Sequence, residues 1–196
     1  MFKGHNDYYE DAVILSVLVS KIGSDKFPLT AFDAQKFPYL LHRHVEGVAK
    51  DYRKFAAGPY NPALKYKGAR PIAIKKKYIR TQNATYMGKT YQGMVAGDNL
   101  PEAANYFEQW YGSEPLQWIE QFQYIKGRKD ELELLTTVDM AMIELRESNK
   151  LITSLAVKEI IENSDEWRAK LKREIFSDVN ILRAINWSNE LFGTEV

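Results

Sequence analysis

The chain of 196 residues contains no cysteine. Disulfides, thiolate catalysis and cysteine metal sites are therefore excluded, and a reducing compartment is the matching expectation. Long hydrophobic runs are also missing. The longest, Ala12 to Val19, is interrupted by Ser16 and falls far short of the ~20 residues that a membrane span needs. The start, Met1-Phe2-Lys3-Gly4-His5, lacks the basic-then-apolar layout of a secretion signal. These features predict a soluble, cytoplasmic, bacterial-type protein. No Gly-x-Ser-x-Gly elbow, phosphate loop, dinucleotide glycine fingerprint or His-Glu-x-x-His motif occurs. Neither a catalytic residue nor a cofactor is indicated, and a metal-dependent nuclease is only a third reading.

Negative charge is missing from one place. Residues 52–97 hold no Asp or Glu, but they hold ten basic residues: Arg53, Lys54, Lys65, Lys67, Arg70, Lys75, Lys76, Lys77, Arg80 and Lys89. Residues 1–51 carry six Lys/Arg against seven Asp/Glu, and residues 98–196 carry eleven against nineteen. The formal net charge of +1 thus hides a basic middle and an acidic C-terminal part. A segment of one sign is the expected surface for a partner of the other sign. Lysines and arginines gain affinity for nucleic acid by releasing condensed counterions. Seven aromatics are interleaved: Tyr52, Phe55, Tyr60, Tyr66, Tyr78, Tyr86 and Tyr91. Such rings can stack on unpaired bases. The same window also fits an acidic protein partner. It fits as well a solvated edge strand guarded by lysine, or a face docked on the chain's own acidic part.

Spacing predicts helices around this window. Tyr8, Ala12, Leu15, Val19 and Ile22 recur at intervals of three and four, giving a helix over 7–22 closed by Gly23. Thr30-Ala-Phe-Asp33 resembles a helix-start box, and Pro38 either kinks the following helix or begins a second. Ile72-Ala-Ile74 with Tyr78-Ile79 reads as one strand, paired in a hairpin with Thr85-Tyr-Met87 and Thr90-Tyr91. Helices are expected from Asn99, over 116–125, over 130–147 with Leu132, Leu135, Val138, Met142 and Leu145 inward, from a Thr153 cap through 161, over 165–174 and over 178–191. The fold class is α+β, mainly α. It has N-terminal helices with a small basic β-hairpin region (1–127) and a C-terminal helical bundle (128–196), the bundle being helix-turn-helix-like in outline and the two parts expected to form one compact unit.

Other clusters read as structural. His42 and His44, two residues apart, project about 200° apart on a helix and cannot chelate one ion. His44 falls on the apolar stripe as a core or interface histidine. The carboxylate pairs Glu131/Glu133 and Glu159/Glu162 read as solvated helix faces. Phe55-Ala-Ala-Gly-Pro-Tyr-Asn-Pro62 is a rigid corner, with Gly58 free to take a positive φ.

At that corner the chain resembles a family. Asp33-Ala-Gln-Lys-Phe-Pro-Tyr-Leu-Leu41 followed by Ala56-Ala-Gly-Pro-Tyr-Asn61 is similar to the Panacea (SocA-like) antitoxin domain. Relatives associated with bacterial type I restriction–modification systems share the Ala-Ala-Gly-Pro-aromatic turn, the Glu131-Leu-Glu-Leu-Leu-Thr-Thr-Val-Asp139 helix and the Trp167-x-x-Lys170 stretch. The resemblance covers roughly residues 30–192. It implies a non-enzymatic module of bacterial defence or toxin control that binds DNA or protein. It makes Gly58, Pro59, Tyr60 and Asn61 structural signature positions and supplies no catalytic residue. Two expectations follow. In one, a DNA-associated accessory domain of a restriction–modification system uses Lys75, Lys76, Lys77 and Arg80, with Lys65, Lys67 and Arg70 nearby, on backbone phosphates. In the other, an antitoxin-like module holds a partner toxin in an apolar groove lined by Tyr60, Tyr66 and Trp110.

Overall fold

A computed structural model describes residues 7–49, 51–65, 68–125 and 127–193. It is mainly helical, with eight α-helices and two small antiparallel sheets among the described residues. The chain divides into two compact units. One contains the chain up to Leu41 together with Asn61–Gly127, and the other contains His42–Tyr60 together with the chain from Arg128 on. Residues 42–60 group with the C-terminal helices.

The first unit is built around α1 (Asp7–Ile22), whose residues 11–19 are all buried. That explains its unbroken apolar run, since a helix covered on every side has no polar face. Ser16 within it donates to the Ala12 carbonyl at 2.6 Å and so satisfies itself. Packed on α1 are α3 (Ala69–Lys75), α4 (Leu100–Tyr111), α5 (Glu114–Glu120) and strand β4 (Lys89–Ala96). α2 (Asp33–Glu46) starts as the sequence predicts. Thr30 Oγ1 accepts from the Asp33 N–H at 3.2 Å, and Asp33 Oδ2 accepts from the Thr30 hydroxyl at 2.7 Å. Pro38 lies inside α2.

Two expectations for this unit change. Ile72-Ala-Ile74 is in helix α3, because Ala69 and Ala73, four residues apart, bury against α1 and tertiary packing overrides β-propensity. The hairpin is instead β3 (Ile79–Tyr86) paired with β4, in register Ile79↔Ala96 through Tyr86↔Lys89. Its two-residue turn is Met87-Gly88, with φ of 48° and 75°, the handedness that matches strand twist. The predicted helix over 116–125 is α5 continued by a 3₁₀ segment, Gln121–Ile125.

The second unit is built around α6 (Lys129–Glu147), whose residues 132–139 are all buried. The five predicted inward positions of α6 are among its buried residues. α7 (Ser154–Glu162) is capped by Thr153, whose hydroxyl accepts from the Ala156 N–H at 3.1 Å. α8 (Asp178–Phe192) ends at Gly193 with φ 78°. The helix expected over 165–174 is replaced by 3₁₀ turns, Arg168–Lys172 and Glu174–Phe176, around buried Trp167 and Phe176. The α7–α8 link therefore spans residues 163–177, longer than the three-to-four-residue turn of a helix-turn-helix. The Gly-Pro corner is a hairpin of its own, β1 (Arg53–Phe55) on β2 (Gly58–Tyr60), with Gly58 at φ 94°.

Candidate nucleic-acid interface

The basic residues of the first unit gather where α3 ends and β3 begins. Lys75 closes α3, and Lys76 and Lys77 follow it directly. A helix C-terminus carries partial negative charge, so cations there are locally favoured. All three side chains are exposed. Among the described residues none has a carboxylate within 4 Å, and the Lys76 ammonium lies 5.8 Å from the centre of the Tyr9 ring. These lysines stand on a helix end and turn, not on the edge strand that the sequence suggests, with Lys77 at φ 59°. The turn is fastened from behind. The Asn99 amide donates to the Lys76 carbonyl at 3.1 Å, and the Asn99 N–H donates to the Lys77 carbonyl at 2.9 Å.

Not every basic residue of the window is available. Arg80 pairs with Asp25 at 3.1 Å and also donates to Gln82. Arg70 is half-buried on α3, and Lys65 is half-buried after the 3₁₀ turn Pro62–Leu64. Lys67 lies outside the described residues. Lys54 belongs to the second unit and pairs there with Glu144 at 2.5 Å.

Several of the interleaved aromatics among the described residues are taken up in packing within their own unit. Tyr52 and Tyr78 are buried. Tyr78 donates to Glu102 at 2.9 Å and bonds Tyr9 at 2.8 Å, and burial together with these partners pushes its phenol well above the ordinary range. Tyr86 packs edge-on against Phe27, ring centres 6.1 Å apart. The groove expected from Tyr60, Tyr66 and Trp110 is likewise not assembled on one unit. Tyr60 stacks on Phe55 in the second unit, Trp110 stacks on Tyr106 in the first, and Tyr66 lies outside the described residues.

The residues carrying the family resemblance turn out to be braces. Asn61 accepts from the Ala63 N–H at 2.9 Å, while its own N–H donates to Gln35 on α2 at 2.8 Å. In the second unit, Trp167 donates to the Phe55 carbonyl, and buried Lys170 pairs with Glu133. Glu133 is therefore not the solvated carboxylate expected; it also receives Arg173 at 2.8 Å. Desolvation holds the Lys170 ammonium below its usual range, with Glu133 opposing. Asp139, fully buried, accepts from Arg43 Nε at 2.9 Å and from the Ser188 hydroxyl at 2.7 Å. These long-range pairs lie up to 112 residues apart in the chain, so periodicity alone gives no sign of them.

His42 and His44 are both half-buried, and the Nε2 of His42 is shielded from solvent. Desolvation pulls the His42 pKa down to about 4, partly opposed by Asp51. Among the described residues no group of three or more His, Asp or Glu side chains is placed to hold a metal ion, and no helix is long and apolar enough to cross a membrane. No family model and no curated protein matches this chain.

Proposed function

We propose that the first unit binds the phosphate backbone of DNA, and that the protein is a non-enzymatic accessory domain of a bacterial restriction–modification system. One observation carries the binding: Lys75, Lys76 and Lys77 stand exposed together with no carboxylate of the described residues within 4 Å. Fixed charge displayed in this way releases counterions from a polyanion. The restriction–modification setting rests on the family resemblance. The test is the variant K75A/K76A/K77A on duplex DNA at ~50 and ~200 mM salt, where affinity should fall for every sequence and the salt dependence should flatten. Unchanged affinity at both salts would remove this surface. Neighbouring methylase and helicase-nuclease genes would support the setting.

A second reading, an antitoxin-like module binding a partner protein, has its own observation in the second unit. Leu151, Leu155, Val179 and Leu182 are 85%, 69%, 77% and 52% exposed. Lys158 bonds Asp178 at 2.6 Å, which ties α7, the helix of Leu155, to the start of α8, the helix of Val179 and Leu182. Apolar patches of this kind mark contact sites. Glu159 and Glu162 continue the Leu155 stripe at i+4 and i+7, exposed and with no cation within 4 Å among the described residues. The patch suits a basic amphipathic segment of a toxin. A stoichiometric partner that resists nuclease and high salt, and is lost in L155D/L182D, is the expected result.

A further inference from the structure

We infer that the β3–β4 hairpin is a groove-reading ribbon for duplex DNA, with Asn83 and Gln92 as its base-contacting side chains. This rests on the DNA-binding reading of the same unit and adds sequence recognition to it.

The hairpin has two unlike faces. Side chains alternate along each strand, so Arg80, Gln82, Ala84 and Tyr86 share one face with Lys89, Tyr91 and Gly93. Residues 25–28 cover that face. Asp25 holds Arg80, the Asp25 carbonyl accepts from Gln82 at 2.6 Å, and Phe27 meets Tyr86. At Gly93 an added Cβ would lie 2.5 Å from the Pro28 Cβ. The opposite face is buried at its root, where Ile79 and Met94 lie, and presents Thr81, Asn83, Thr85, Thr90 and Gln92, all exposed, toward the tip. Asn83 and Gln92 are direct cross-strand partners, and neither amide makes a hydrogen bond among the described residues. Thr85 and Thr90 pair beside them at 3.2 Å.

A covered face stiffens the ribbon, and an open face of uncharged donors and acceptors suits base edges. The major groove admits a two-stranded ribbon, and Asn or Gln matches the N6/N7 edge of adenine. Size agrees. The two paired strands lie about 4.8 Å apart, narrow enough to enter a groove about 12 Å wide. The lysines at the root and Lys89 at the tip then reach the phosphates that border the groove. The hairpin itself, residues 79–96, contains no carboxylate to repel them.

The test is selection of duplexes from a randomised pool with the wild-type chain, followed by binding of N83A/Q92A. The expected result is an enriched site containing adenine, bound about 10- to 100-fold more weakly by the variant, while affinity for scrambled duplex stays at the wild-type level. K75A/K76A/K77A, by contrast, should weaken both. DNA binding without any enriched site, or an enriched site bound equally by N83A/Q92A, would overturn the ribbon and leave phosphate binding standing. Absence of duplex binding by the wild type would overturn both.

Discussion

Trp167 donates its indole N–H to the backbone carbonyl of Phe55 at 2.9 Å, across 112 positions of sequence. The Lys54 ammonium lies 5.1 Å above the same ring. The buried indole therefore anchors the end of β1, just before the turn into Gly58-Pro59. The Gly58-Pro59 corner and the turn at Trp167 are thus halves of one contact. Trp167→Phe should keep most of the packing but strand the carbonyl. A loss of about 1–3 kcal/mol is expected, read as a lower denaturant midpoint at an unchanged slope.

Asp139 is the sharper case. It is fully buried, and Arg43, itself nearly buried, reaches it while also donating to the Gly47 carbonyl and lying 4.6 Å from the Phe192 ring. Asp139→Ala leaves the guanidinium without its anion, which costs about 3–5 kcal/mol for a buried pair. Arg43→Met combined with Asp139→Leu removes both charges and should cost clearly less than the sum of the single changes. Chemical denaturation of the three variants decides it, and additive losses would contradict the pairing.

What was legible in the sequence, and what was not, follows from range. α6 could be drawn from the spacing of Leu132 to Leu145, and the starts of α2 and α7 from Thr30/Asp33 and Thr153, because caps and periodicity are local. α3 was missed since Ile72 and Ile74 favour strands, and only packing against α1 makes that stretch helical. The hairpin turn was missed because Met87-Gly88 lacks the usual Asn or Asp. At the candidate site, exposure of Lys75–Lys77 was foreseeable from a run of three charges. Burial of Tyr78 was not, because its partners Tyr9 and Glu102 come from separate helices.

Two glycines of the same hairpin should respond differently to alanine. At Gly93 an added Cβ would sit 2.5 Å from Pro28 and 3.0 Å from the Leu29 carbonyl oxygen. Leu29 and Met94 exchange backbone bonds at 2.8 and 2.9 Å there, so the segment has little room to retreat. Gly93→Ala is expected to cost about 1–3 kcal/mol, as overpacking does. At Gly88 nothing lies within 4 Å, but φ is +75°, and the penalty is only the ~1 kcal/mol of a left-handed backbone. Thermal unfolding should rank Gly93→Ala as the less stable.

Acid should weaken the second unit through His42. Its imidazole titrates near 4 when folded against an ordinary 6.5, chiefly because burial disfavours the cation. Between these values the unfolded chain binds a proton that the fold refuses. The contribution of the neutral ring is therefore fully present above about pH 6.5 and declines as pH falls toward 4. From pH 7 to pH 5 the loss from this group is about 2 kcal/mol. Asp51 attracts the cation and opposes the shift, whereas the Tyr52 ring, 6.1 Å away and edge-on, carries no charge. His42→Gln should lose about 2 kcal/mol less than wild type over that interval, measured by urea unfolding at both pH values. Asp51→Asn should leave the loss over that interval almost unchanged, because the folded imidazole is already neutral at pH 5, and should enlarge it only below about pH 4, where burial is left unopposed. Equal losses in wild type and His42→Gln would place the acid sensitivity in other groups.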